Sequence, residues 1–145
     1  MRIEHIAIWT NNLEGLRDFY SKFLGCGISE RYVNSEKHFS SYFLSFDGGA
    51  RLEIMCRNDI EQRGECEMTG LAHFAVDAGS ADKVDILTRK FENAGICVYS
   101  HPRTTGDGYY ESIILDPDGN KVEITAPAIA EISRDHLSES GYNWS

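Results

Sequence analysis

Four side chains in this sequence have the types and the spacing to hold a metal ion. His5 and His73 stand 68 positions apart, and Glu53 and Glu123 stand 70 apart, so each half of the chain carries a histidine early and a glutamate late. Each glutamate lies between apolar neighbours, Leu52 and Ile54 for the first, Val122 and Ile124 for the second. Each histidine opens an alternation, with Ile6 and Ile8 after His5 and Phe74 and Val76 after His73. Side chains alternate across a β-strand, so all four polar groups are expected on the face opposite the apolar one, looking into a concavity. Two carboxylates in such a partly dry site repel each other and are costly to desolvate. One divalent cation resolves both difficulties. Two imidazoles and two carboxylates form a mixed nitrogen and oxygen set that suits Zn²⁺, Ni²⁺, Co²⁺, Fe²⁺ or Mn²⁺, and the residue types do not choose among them.

Taken singly, each of these residues has an ordinary reading. A strand histidine is usually hydrogen-bonded or exposed, and a glutamate between apolar residues usually marks the solvent face of an amphipathic strand. The joint recurrence in both halves is what points to a site. His38, His101 and His136 have no partner in the repeat and are given no ligand role.

The elements that must position these groups also recur. At the same offset Ala7 matches Ala75, Ile8 matches Val76, Leu16 matches Val84, Phe23 matches Phe91, Gly27 matches Gly95 and Ile28 matches Ile96. Further on, Arg51 to Met55 resembles Lys121 to Thr125. Residues 3–10 read as a strand, and Asn11 and Asn12 cap a helix whose apolar face is Leu16, Phe19, Tyr20, Phe23 and Leu24, ended by Gly25. Strands follow at 28–33, 39–46 and 50–56, the last two joined at Asp47-Gly48-Gly49. The second half repeats this with a strand at 71–77, a helix capped by Ser80, and strands at 96–100, 109–115 and 121–126 around an Asp116-Pro117-Asp118-Gly119 turn. The prediction is an α+β fold of two βαβββ modules, residues 1–56 and 70–126, in one domain spanning 1–126. Residues 57–69 form the linker, and 127–145 a tail or short helix on the surface or on a partner.

Composition narrows the function classes. A chain of 145 residues with 41% hydrophobic and 26% charged residues can build a packed core and is not disordered in composition. Its net charge of −9, without a basic cluster, disfavours nucleic acid and anionic membranes. MRIEHIAIWT lacks the basic-then-apolar run of a signal peptide, and no stretch approaches the ~20 apolar residues of a membrane span, so a cytoplasmic location is expected. The four cysteines, Cys26, Cys56, Cys66 and Cys97, show no metal-knuckle spacing and are expected reduced and mostly buried.

HIAIWT at the start, LRDFYSKFLG in the first helix, GLAHFAV at the second module and ILDPDGNKVEIT near the end resemble the vicinal oxygen chelate superfamily. That superfamily includes glyoxalase I, methylmalonyl-CoA epimerase, extradiol dioxygenases and the fosfomycin and bleomycin resistance proteins. The resemblance covers residues 2–126 and implies two modules forming an incomplete barrel around a metal site. His5, Glu53, His73 and Glu123 are similar to the four-ligand set of glyoxalase I, whereas epimerases usually have Gln at the second position. The resemblance implies a lactoylglutathione lyase-like enzyme holding one divalent metal, with Zn, Ni or Co expected ahead of Fe or Mn. It implies a substrate such as the hemithioacetal of methylglyoxal, isomerised through a metal-stabilised enediolate, with Glu123 as base and Glu53 as its near-symmetric alternative. Trp9 stands where short bacterial glyoxalase I enzymes usually place an Arg that grips glutathione, so the thiol is left open. Arg57 and Arg103 are candidates for an anionic substrate group, and Trp9 and Tyr109 for the pocket wall. The loop Thr104 to Gly108 reads as a lid or as a plain hairpin connection. The superfamily builds sites within one chain or across a dimer, and a homodimer is expected here. The alternatives are a non-enzymatic binding or resistance protein of the same fold, and an epimerase or dioxygenase using part of the ligand set.

Overall fold

In a computed structural model, which describes residues 1–61 and 69–128, the alternation of the first strand shows directly in its burial. Strand β1 (His5–Trp9) buries Ile8 and leaves His5, Ala7 and Trp9 exposed. The chain then turns at Asn12, whose side chain accepts a hydrogen bond from the Gly15 amide and so satisfies one of the free donors of helix α1 (Leu13–Leu24). Gly25 ends that helix at φ 65°, the left-handed conformation that a glycine adopts without a Cβ penalty. Its buried face is Leu13, Leu16, Phe19, Tyr20 and Phe23.

Strands β2 (Gly27–Ile28), β3 (Tyr32–Asn34), β4 (Phe39–Ser45) and β5 (Arg51–Arg57) complete the first module. The second contains β6 (His73–Asp77), helix α2 (Ala81–Asn93) capped by Ser80, and strands β7 (Val98–Thr104), β8 (Tyr109–Leu115) and β9 (Lys121–Pro127). Each module folds into its own mixed sheet. The first has the order β1-β5-β4-β2 with β3 also on β4, and the second the order β6-β9-β8-β7. In both, the opening strand runs parallel to the closing one, β1 with β5 and β6 with β9. The α+β class and the two-module architecture are as expected. The two sheets stay separate and do not close into a barrel.

Two strands depart from expectation. The run 28–33 divides into β2 and β3, both on β4, with one extra residue between the two registers: Ile28 faces Leu44, but Tyr32 faces Ser41. The cause is Ser29, whose hydroxyl accepts the Phe43 amide hydrogen that a ladder carbonyl would otherwise take. Strand β7 begins later and runs to Thr104 through Pro102, with register shifts on either side of Ser100. Proline is tolerated there because β7 is an edge strand and owes no hydrogen bond outward. Cys97 is exposed, contrary to the expected burial, because it lies before β7 rather than inside it; Cys26 is buried and Cys56 half-buried. Cys66, the linker from residue 62 to 68 and the tail from 129 onward lie outside the described residues.

The helix-covered sides of both sheets share one core. Leu16, Tyr20, Leu44 and Ile54 of the first module form one cluster with Val84, Phe91, Ile114, Val122 and Ile124 of the second. The helices supply its centre: the rings of Phe23 and Phe91 stack at 5.1 Å, and Phe19 lies 6.1 Å from Phe91. A buried polar contact ties the modules as well. Tyr20 Oη donates to Asp116 Oδ2 at 2.7 Å, and the same carboxylate accepts from the Asp118 and Asn120 amides and from Asn120 Nδ2. Burial, then the Asp116 charge, pushes the Tyr20 phenol well above its usual range, so it remains a donor. No helix among the described residues is long and apolar enough to cross a membrane.

Tyr20→Phe should therefore destabilise the fold by about 1–2 kcal/mol, since the buried Asp116 carboxylate loses a donor while the ring volume is kept. Urea denaturation checks this; the midpoint should fall while the slope is unchanged.

Candidate metal centre

The two parallel ladders place the candidate ligands at identical registers. Glu53 on β5 lies opposite Ala7, and Glu123 on β9 lies opposite Ala75. His5 and His73 are two residues before those alanines, on the same face. In the first module His5 Nε2 approaches Glu53 Oε2 to 3.8 Å; in the second, His73 Nε2 approaches Glu123 Oε2 to 3.1 Å. Both carboxylates are 14% exposed while the imidazoles are 40% and 43% exposed, so each pair has a shielded acid and an open base. Leu52, Ile54, Val122 and Ile124 are buried on the opposite face, as the alternation requires.

The four groups come together as two pairs and not as one cluster. Among the described residues no group of three or more His, Cys, Asp or Glu side chains converges on a common point. Of the two arrangements left open, one chain or a dimer, the described residues of one chain show no convergence of all four ligands. The two helices meet in the shared core, with Phe23 stacked on Phe91, and the uncovered face of each sheet is the one that carries its pair. Each pair offers one imidazole nitrogen and one carboxylate oxygen, a donor set that fits half of the shell of a divalent cation.

The neighbours of each pair differ. Around His5, the Nδ1 atom lies 2.5 Å from Glu4 Oε2, and Glu4 is gripped in turn by Arg51, whose Nε donates to Oε1 at 2.8 Å. The His5 hydrogen bond, and then Arg51, hold the Glu4 carboxyl below the usual range. Phe43 lies under both, with its ring edge-on to His5 at 5.4 Å and beneath the Arg51 guanidinium at 4.1 Å. Around Glu123, the extra partner is Glu111 on β8. Burial first, then the Glu111 carboxylate, raise the Glu123 carboxyl above its ordinary value, against the opposing pull of His73. The Thr125 hydroxyl, on the β9 residue opposite Glu111, is buried without a hydrogen-bond partner.

The proposed substrate residues all sit on the uncovered faces. Trp9 ends β1 with Phe39 edge-on at 6.2 Å and the Arg57 guanidinium over its ring at 5.0 Å. Arg57 also pairs with Asp59. Arg103 on β7 holds Glu111 at 3.2 Å, and Tyr109 opens β8 two residues before Glu111, exposed. The 104–108 segment is a hydrogen-bonded hairpin turn, with the Thr105 amide on the Tyr109 carbonyl at 2.8 Å and Gly108 at φ 89°. Sequence reasoning missed Glu4, Arg51, Phe43 and Glu111. Strand alternation carried a signal for Glu111, which shares a face with Tyr109 and Ile113, and for Arg51, which shares one with Glu53.

The model of the Glyoxalase/Bleomycin resistance protein/Dioxygenase superfamily matches residues 2–124. The chain belongs to that superfamily. It is 30% identical over 130 residues to the uncharacterized protein YqjT of Bacillus subtilis, covering 87% of this chain and 99% of that protein. Its fold is similar to that of a glyoxalase family protein from Enterococcus faecalis, at 25% identity and a TM-score of 0.71, over 86% of this chain and 96% of the other. It is similar as well to the trypanothione-dependent glyoxalase I of Leishmania major, at 18% identity and a TM-score of 0.71, over 87% and 86% of the two chains. The last likeness is one of fold.

The raised Glu123 carboxyl has a sign that can be tested on metal-free protein. A carboxyl that binds its proton more tightly when folded works against folding while ionised, and the cost vanishes as pH falls through that raised value and both states become protonated. Glu123→Gln should therefore raise the melting temperature of the metal-free chain at neutral pH. The gain should shrink toward zero below the ordinary glutamate pKa of about 4.3. Thermal melts across this range check it.

Proposed function

We propose that this superfamily member is a metal-dependent lyase or isomerase of the glyoxalase I type, acting as a homodimer on a small dicarbonyl adduct of a thiol. The observation that carries the reading is the repeated pair: an imidazole and a shielded carboxylate at the same register of the same parallel ladder in both modules. A structural histidine or a solvent-facing glutamate has no reason to recur as a pair. Two donors leave a cation half ligated, and among the described residues of one chain the two pairs do not converge. A second copy related by a two-fold axis would set the first pair of one protomer against the second pair of its partner, giving two complete sites per dimer. Strands β1 and β6, which carry the histidines, are the end strands of their sheets and are free to meet such a partner.

When bound, the cation would supply Lewis-acid stabilisation of charge developing on adjacent substrate oxygens. Glu123 takes a proton from one carbon of the vicinal pair and returns it to its neighbour, so the reaction is an isomerisation with nothing consumed. Its carboxyl suits this role because burial and Glu111 have already raised its proton affinity. Glu53 occupies the equivalent position without a second carboxylate on β4, where Ser41 stands at the register that Glu111 holds on β8. Trp9 and Tyr109 supply apolar walls, and Arg57 and Arg103 exchange Asp59 and Glu111 for an anionic group of the substrate.

The test uses purified protein with cation added. Wild type should bind one divalent ion per chain, run as a dimer in light scattering, and isomerise a methylglyoxal hemithioacetal. His5→Ala, Glu53→Gln, His73→Ala and Glu123→Gln should each cut turnover at least ~100-fold. A chain carrying His5→Ala and Glu53→Gln, mixed with one carrying His73→Ala and Glu123→Gln, should regain roughly a quarter of wild-type turnover through mixed dimers with one intact site. Unchanged turnover in all four single variants would end the lyase reading.

A further inference from the structure

The two half-sites repeat their ligands but not what holds them. His73 has the Glu123 carboxylate at 3.1 Å, and His5 sits in a built cradle. Its Nδ1 lies 2.5 Å from Glu4 Oε2, Glu4 is clamped by Arg51 through Nε at 2.8 Å and Nη2 at 2.5 Å, and the Phe43 ring supports both the imidazole and the guanidinium. The backbone fixes the clamp too. Arg51 is the ladder partner of His5, and the Arg51 amide donates to the Glu4 carbonyl at 2.9 Å, so the three residues are held by the same end of the β1–β5 pairing. At the equivalent places of the second module stand Ala72, which has no carboxylate, and Lys121.

We infer that Glu4, anchored by Arg51, is a positioning residue that fixes His5 as the Nδ1–H tautomer and leaves its Nε2 lone pair free for a cation shared with Glu53. The inference rests on the metal reading given above and deepens it. A neutral imidazole donates from one nitrogen and accepts or ligates with the other, and the partner of the first decides which is which. A carboxylate accepts only, so a hydrogen bond to it must come from an Nδ1–H, which leaves Nε2 bare. Arg51 keeps that carboxylate in place. The Phe43 face restricts ring rotation, as aromatic edge-to-face contacts do. The consequence is that the first pair of each chain is pre-oriented before any cation arrives.

Two measurements test this. Long-range ¹H–¹⁵N NMR of metal-free protein, at a pH near 8.5 and so well above the ordinary imidazole pKa of about 6.5, reads the tautomer of each histidine, with His5 identified by loss of its signals in His5→Ala. Wild-type His5 should be Nδ1–H, Glu4→Ala should shift it to mostly Nε2–H, and Glu4→Gln, whose amide oxygen still accepts, should restore it. Competition with a chromophoric chelator reads the affinity for Ni²⁺ and Zn²⁺. Glu4→Ala should weaken it about 10- to 100-fold, and Arg51→Met should weaken it less. Thermal melts should be little changed, because both side chains are exposed and outside the core. Cation binding and a His5 tautomer that survive Glu4→Ala unaltered overturn the inference alone. A wild-type chain that binds neither cation overturns the metal reading as well, and with it the role assigned to Glu4.

Discussion

Everything in this chain follows from where a strand can send a polar side chain when its neighbours are committed to a core. Leu52 and Ile54, like Val122 and Ile124, are buried beneath a helix, and successive residues of a strand point to opposite faces. The carboxylate between them has one direction left. Because β5 and β9 pair in parallel with the strands that open their modules, the histidine two residues before each facing alanine arrives on the same side. The ligand pairs are thus a product of the ladder, and no loop has to be held in a special shape to make them.

The same core decides that the pairs stay apart. Stacking of Phe23 on Phe91, and the burial of Tyr20 against Phe74 and Asp116, join the modules through their helical sides. A fold that placed the uncovered faces inside would leave the aromatic face of α1 in water. At roughly 25 cal/mol per Å² of apolar area, several aromatic rings outweigh the gain from one ion pair at a half-exposed histidine. The single chain therefore builds a core and two half-sites, and on the proposed reading a second copy supplies what each half lacks.

Much of this was legible in the residues alone. The repeat, the helices with their caps and the β4–β5 and β8–β9 hairpins follow from period and punctuation, and the face of each candidate ligand follows from alternation. What escaped depends on longer-range terms. The division of 28–33 turns on one serine hydroxyl competing with a ladder carbonyl, and the extension of β7 through Pro102 turns on its being an edge. Whether the half-sites meet within one chain stayed open because alternation says which face a residue occupies within a sheet, not how two sheets are set against each other. Glu4 escaped because it precedes β1 and reaches its neighbour only when Arg51, 47 positions later, draws it round.

The two faces have diverged in charge, and this bears on how a duplicated module becomes a site. The first carries Arg51 and Arg57 beside the aromatic rings of Trp9, Phe39 and Phe43; the second carries Glu111 and Glu123 with Asp107 near enough to act on the Glu123 carboxyl. Cationic partners stand on both faces, Arg51 on Glu4 and Arg57 on Asp59 in the first and Arg103 on Glu111 in the second, so within a chain of net charge −9 each face is partly neutralised on its own. On the proposed reading, the divergence around a repeated pair of donors leaves one half oriented in advance and the other with a glutamate primed to hold a proton.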